Sequence, residues 1–246
     1  MDEIVLITVA AAFFCGGVVK GVVGIGLPLT SIALMTTVID LRLAIPLLVV
    51  PILATNIVQA FRGGRFLELI RQYWLMLVTA AIGVYAGTAA LYSVELSYLL
   101  TMLGVIVAAY SLMNLTSFRL NTSEKNIPIW SPIVGFLSGG LAGTTGSIGV
   151  PVIIYYQALK MAKDVFVQAV GIQFLITGSI LTLALALRGG LNMEILPVSA
   201  LAMVPAFVGM WAGQWVRDRV SEDRFRTCLW IFMMIVGLNL IRKGLF

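Results

Sequence analysis

Long apolar runs broken by single charges and short turn signals give ten segments, at approximately 4–19, 28–39, 43–61, 72–92, 96–115, 129–142, 151–160, 165–187, 195–216 and 225–241. Uninterrupted apolar stretches of this kind predict helices within a bilayer rather than strands. A full crossing needs about 20 residues at about 1.5 Å each. Segments 43–61, 72–92, 96–115, 165–187 and 195–216 are long enough, and 225–241 nearly so. Segments 28–39 and 151–160 give only about 15–18 Å of helix, about half the hydrocarbon thickness.

Each short segment follows a stretch that should not sit inside a membrane helix, "GVVGIGLPLT" (Gly21 to Thr30) and "GTTGSIGVPVI" (Gly143 to Ile153). These stretches occupy the same place in the two halves of the chain. A shift of 123 residues lays Gly16-Gly17 on Gly139-Gly140, and Ile25-Gly26-Leu27-Pro28 on Ile148-Gly149-Val150-Pro151. Arg62-Gly63-Gly64 and Arg188-Gly189-Gly190 close equivalent segments at a shift of 126. The same elements in the same order imply an internal duplication.

The expected architecture is an all-α polytopic membrane protein of two inverted repeats, about five segments each, whose short broken or re-entrant helices meet near the midplane. Residues 1–115 would form the first repeat, 116–128 a cytoplasmic linker and 129–246 the second repeat, all in one integral membrane domain. Five segments per half is odd, so the second half enters the bilayer upside down. Charge supports that topology: with both termini outside, twelve of the 16 lysines and arginines fall on the inner side and four on the outer, as the positive-inside bias requires. A single kinked crossing in place of each short pair would instead make the repeats parallel.

Composition narrows the class further. The chain is 60% hydrophobic and 11% charged, with mean hydropathy +1.04; soluble domains carry roughly a quarter charged residues. Its net charge of +5 resides in short loops, so it does not imply nucleic acid, and no nucleic-acid partner is expected. The acidic start "MDEIVLITV" lacks the positive region of a signal peptide and is read as the beginning of the first span. Cys15 and Cys228 have no metal-ligand or disulfide spacing and are expected to be buried small hydrophobes.

Irregular backbone within hydrocarbon leaves amides unpaired at several kcal/mol each, and is tolerated where it lines a cavity or is buried in protein. Glycine permits left-handed dihedrals and close approach to a ligand. Pro28 and Pro151 stand where a helix restarts, where a missing N–H costs nothing. Each break thus reads as a loop followed by a helix N-terminus, carrying about +0.5 of an elementary charge and several free donors. Facing one another, two such ends would hold an anion without a charged side chain. Close glycine packing between helices is the competing explanation.

The residues "GGVVKGVVGIGLPL" and "SGGLAGTTGSIGVPVI" resemble the paired motifs of the sulfite exporter TauE/SafE family, also described as 4-toluenesulfonate uptake permeases. The resemblance extends over nearly the whole chain. It implies export or import of sulfur-containing anions such as sulfite, sulfoacetate, thiosulfate or other organosulfonates. Relatives often place a phenylalanine in the first glycine-rich stretch, where this chain has Val22-Val23.

The candidate substrate-binding residues are Lys20, Gly24, Gly26, Pro28, Asn56, Gln59, Thr144, Thr145, Ser147, Gly149, Pro151 and Gln173. Lys20 is either an anion ligand or an end-of-helix residue snorkelling to the inner surface. Thr144, Thr145 and Ser147 supply hydroxyl donors. Asn56 and Gln59 share one helix face, with Gln157, Gln168 and Gln173 on later segments; such amides also serve as interhelical hydrogen-bonding groups. Asp40 and Asp164 are expected N-caps. Arg62 and Arg188 are expected to anchor helix ends, and Tyr73, Trp74, Trp130 and Trp230 to lie in headgroup belts.

No nucleotide-binding motif or cofactor is expected. "TGSIG" resembles a serine-protease loop, but the chain contains no histidine, the usual base beside such a serine, which argues against an intramembrane hydrolase. The expected activity is secondary transport, most simply export of a small sulfur-containing anion by alternating access. Its partners are that anion and the lipid bilayer of the bacterial inner membrane, with a homodimer left open. The alternatives are an anion channel, a carrier of another small organic anion, or a non-transporting scaffold.

Overall fold

In the computed structural model the described residues form helices and connecting turns and no strand. The structure describes all residues except 1, 117, 119, 192, 193, 218, 220 and 221, and the side chains of 222–224 are likewise undescribed. Arg119, counted above on the inner side, and the side chain of Arg224 therefore lie outside the described residues.

In chain order the helices are α1 (Glu3–Val23), α2 (Leu27–Met35), α3 (Leu41–Leu47), α4 (Val49–Phe61), α5 (Phe66–Ser93), α6 (Leu96–Leu115), α7 (Ile127–Thr145), α8 (Val150–Ala158), α9 (Lys163–Leu187), α10 (Ile195–Leu201), α11 (Met203–Arg217) and α12 (Glu222–Leu245). All ten expected segments are present. Among the described residues eight helical stretches are long and apolar enough to cross a membrane, with α3–α4 and α10–α11 each counted as one. The nine-residue α2 and α8 reach only about 14 Å.

Proline explains one subdivision in detail. Pro51 has no N–H to give the Leu47 carbonyl four residues back, so the ladder opens between α3 and α4. Ser199 of α10 fills the gap: its Oγ donates to Leu47 O at 2.8 Å and accepts from Val50 N–H at 3.1 Å. Pro205 removes the corresponding donor for Leu201 O at the α10–α11 junction. Helix α5 bends at Tyr73, whose φ of −112° and ψ of 19° lie outside the helical region.

The chain forms two compact units, each drawing on both halves of the sequence. The first comprises Met1–Pro51, Val94–Phe118 and Asn192–Phe246. Within it α1 lies against α11, α6 against α12, and α2 against α1. A Cβ at Gly17 would strike the Ala206 carbonyl, and one at Gly213 the Val18 carbonyl, so both helices need glycine along this seam. That is the small-residue packing that lets membrane helices approach closely. Lys243 of α12 donates to Thr36 O at 3.0 Å, placing a cation at the C-terminal end of α2, where the helix dipole is negative.

The second unit comprises Ile52–Ser93 and Arg119–Leu191. Here α7 lies against α5, and α9 packs on α5 as well. Gly83 and Gly87 meet the Phe136 and Gly140 carbonyls, while Gly139 meets the Ala80 carbonyl in return. Gln168 of α9 holds the end of α4, donating to Ala60 O at 3.0 Å and accepting from Arg65 N–H at 3.3 Å.

Four expectations need correction. Tyr73 is buried edge-on against Tyr156, with ring centroids 5.1 Å apart, and Trp230 is buried against Tyr110 at 5.1 Å. Both face helix neighbours inside their units, whereas Trp74 and Trp130 are exposed as a belt requires. Cys15 and Cys228 are exposed rather than buried, because the packed faces are taken by other residues, among them Ala12, Phe13, Gly16 and Gly17 on α1 and Leu229, Trp230 and Met233 on α12. Asp40 does cap α3, accepting from Arg42 N–H at 2.7 Å. Asp164 caps nothing: Ala162 is the N-cap of α9 and Asp164 lies in its first turn, where a carboxylate still complements the helix dipole.

Candidate substrate site

Both broken stretches are built alike. Helix α1 ends at Gly24, with φ of 88° and its N–H donating to Lys20 O at 2.8 Å. Helix α7 ends at Gly146, with φ of 69° and its N–H donating to Ala142 O at 3.1 Å. Two or three residues later a second left-handed glycine opens the short helix, Gly26 at φ of 106° before α2 and Gly149 at φ of 92° before α8. Only glycine takes these dihedrals without strain.

Proline follows in the first turn of each short helix, at Pro28 and Pro151. The first ladder bonds run from Thr30 N–H to Gly26 O at 3.0 Å and from Ile153 N–H to Gly149 O at 2.8 Å. The amides of Leu27 and Leu29, and of Val150 and Val152, therefore precede the ladder and have no helical acceptor. These are two amide-bearing helix starts in apolar surroundings.

Among the side chains expected at the site, Lys20, Gly24, Gly26 and Pro28 belong to the first unit. Lys20 is only 4% exposed. It does not snorkel to a surface, because the last turn of α1 is covered by its neighbours. Asn56, Gln59, Thr144, Thr145, Ser147, Gly149, Pro151 and Gln173 belong to the second unit.

The second loop's hydroxyls are turned largely inward. Thr144 donates to Gly140 O at 2.8 Å, and Thr145 lies 2.9 Å from both Leu141 O and Ser147 Oγ. Thr144 thus follows the usual habit of helical threonine and bonds the preceding turn. Thr145 and Ser147 tie the loop to itself.

The amides divide in the same way. Asn56 donates to Ile52 O at 2.8 Å within its own helix. Gln59 lies where Gly171 of α9 leaves room for its Cβ. Gln173 donates to Thr177 Oγ1 at 3.1 Å, and its Oε1, buried, has no hydrogen-bond partner among the described residues. Gln168 belongs to the α4–α9 junction instead, and Gln157 is half-buried.

Sequence reasoning missed Phe174. Its ring edge lies where a Cβ on Gly149 would fall, at Cε1 and Cζ. An apolar residue in an apolar span gives no signal of its own; only contact with the glycine that opens α8 distinguishes it.

Among the described residues no three His, Cys, Asp or Glu side chains gather as metal ligands. Neither a curated protein nor a solved structure matches the chain. The family model for sulfite exporter TauE/SafE matches residues 9–240, nearly the whole length. With its membrane-length helices and that match, the chain belongs to the sulfite exporter TauE/SafE family of membrane transporters.

Proposed function

We propose that the protein carries a small sulfur-containing anion, sulfite or an organosulfonate, outward across the bacterial inner membrane by alternating access. The observation that carries this reading is the pair of nine-residue helices, each opened by a left-handed glycine and a proline. Their leading amides and the positive ends of their dipoles suit an anion in a water-poor setting. Lys20, one turn before the first break, adds a cation to that end of the first unit. In the first unit Gly24, Gly26 and Pro28 shape one start; in the second, Gly149 and Pro151 shape the other, with Thr144, Thr145, Ser147 and the amides of Asn56, Gln59 and Gln173 as its candidate contacts.

Energetics favour the outward direction. Each negative charge leaving a cell with a negative interior gains about 2.3 kcal/mol per 100 mV. That sustains a gradient of about fifty-fold with no coupled ion.

The test is purified protein in proteoliposomes with an imposed potential. Saturable, potential-driven sulfite or organosulfonate efflux is expected. Absence of any such flux, or a single-channel conductance in its place, would remove this reading. Loss of flux in Gly26→Ala and Gly149→Ala variants that express normally would exclude a scaffold.

A further inference from the structure

We infer that α8 is the short helix that moves, and that its parting from α7 opens a hydroxyl-lined aqueous route by which the anion reaches the second broken loop. The inference rests on the proposed transport function and assigns its moving part.

Serines in membrane helices usually donate to the carbonyl one turn back. Ser111 and Ser179 do so at 2.7 and 2.8 Å. Ser131 and Ser138 of α7 do not: each is 1% exposed, and neither hydroxyl has a hydrogen-bond partner among the described residues. Seven residues fall about 20° short of two full helical turns, so Ser131, Ser138 and Thr145 lie along one stripe of α7. The stripe ends at the broken loop, where Thr145 meets Ser147 at 2.9 Å.

The α8 side carries the same signature. Its Tyr155 hydroxyl interacts with that of Ser131, yet the two do not complete a hydrogen bond, and Tyr155 has no other partner among the described residues. Thr122, whose N–H holds Ala158 O at the end of α8 at 3.2 Å, also leaves its buried hydroxyl unpartnered. A buried hydroxyl without a partner destabilises the state that buries it. Four such groups gathered about one helix pair favour a second state, in which the pair is apart and the hydroxyls meet water or a polar guest.

The first pair is built the other way. A shift of 123 residues lays Ser131, Ser138, Thr145 and Tyr155 on Thr8, Cys15, Val22 and Ile32. Thr8 donates within its own helix at 2.7 Å, Cys15 is exposed, and Val22 and Ile32 are buried and apolar. A Cβ at Gly16 would lie 2.9 Å from the Leu27 carbonyl oxygen, and Ser31 of α2 donates to Ala12 O at 3.1 Å. Helix α2 is thus locked onto α1. The glycines of α7 serve a different neighbour, since a Cβ at Gly135, Gly139 or Gly143 would strike α5 first. Helix α7 is held to α5 by that seam, and α8 has no comparable seam on α7.

Two measurements test the inference. Ser131→Ala/Ser138→Ala removes two unpartnered hydroxyls from the closed pair, so it should raise the melting temperature while lowering the maximal rate of sulfite flux about fivefold. Thr8→Ala, at a counterpart position, should change neither. A double variant with unchanged flux overturns the inference, and so does one whose stability falls along with its flux.

The second measurement is read without transport. In a Cys15→Ala/Cys228→Ala background in nanodiscs, Ser138→Cys should react with the anion 2-sulfonatoethyl methanethiosulfonate about tenfold faster than Ala12→Cys at the α1–α2 contact. Methanesulfonate should slow that reaction. Equal rates at the two positions, or a rate that methanesulfonate leaves unchanged, overturn the route. A wild-type protein that carries sulfite while the two rates are equal loses this inference alone. One that carries no anion loses the proposed function and the route with it.

Discussion

A Cβ at Gly139 would run into the carbonyl oxygen of Ala80, whereas one at Gly140, the very next residue, would meet open space. Two adjacent glycines of one doublet therefore do different work. Gly139 lets α7 lie directly on α5, a contact that association in lipid depends on. Gly139→Ala should force the helices apart and cost about 1–3 kcal/mol, as overpacking does. Gly140→Ala should be neutral or stabilising by up to about 1 kcal/mol through helix propensity. Melting curves in one detergent would compare them, and equal losses would refute the assignment.

The two glycines that open the short helices should also differ from each other. Alanine at either must adopt a positive φ, at a cost of about 1–2 kcal/mol. At Gly26 the added methyl meets only the Val19 side chain; at Gly149 it meets the Phe174 ring. Gly149→Ala should therefore lose more stability and more flux than Gly26→Ala. Combining Gly149→Ala with Phe174→Leu should recover part of the difference. No recovery in the double variant would show that the ring is not the obstacle.

Ser199 should matter more than an isolated serine in a membrane helix usually does. It accepts from Val50 N–H and donates to Leu47 O, the carbonyl that Pro51 leaves without its helical donor. Ser199→Ala strands both backbone groups, at about 1–3 kcal/mol. Ser199→Thr, which keeps the oxygen, should retain most of that stability. Thermal stability in detergent is the readout, and an unchanged melting temperature for Ser199→Ala would mean that water or lipid replaces the hydroxyl.

The contrast between Gly149 and Phe174 also marks how far the sequence could be read. Apolar run length located the helices, because about 20 carbon-rich residues in a row have few other fates. Both breaks were visible because glycine and proline are backbone signals: Gly26 and Gly149 take the positive φ that their spacing before Pro28 and Pro151 implied. The direction in which a side chain points was not visible. Tyr73 and Trp74 are neighbours of similar chemistry, yet one is buried and the other exposed, because about 100° of helix rotation separates them. Hydrophobic periodicity cannot resolve that rotation where both protein and lipid favour carbon. The exchange of helices between sequence halves, α1 with α11 and α5 with α7, was hidden for a related reason. It rests on glycine seams, and a missing side chain carries no label of its partner.

The placement of the termini is the remaining expectation with a decisive measurement. Twelve lysines and arginines against four separate the loops into two classes. Cytoplasmic loops hold the excess because positively charged segments resist translocation. Arg62 and Arg65 between α4 and α5, Arg71 in the second turn of α5, Lys160 between α8 and α9, and Lys163 at the first position of α9 should all face the cytoplasm. A reporter active only outside the membrane, fused after Phe246, should then be active. The same reporter inserted at Asn121 in the α6–α7 connection should be silent, and a reporter active only in the cytoplasm should give the reverse pattern. Matching signals from the two positions would place the C-terminus and the connection on one side, turn the odd segment count into an even one, and replace the inverted duplication by a parallel one.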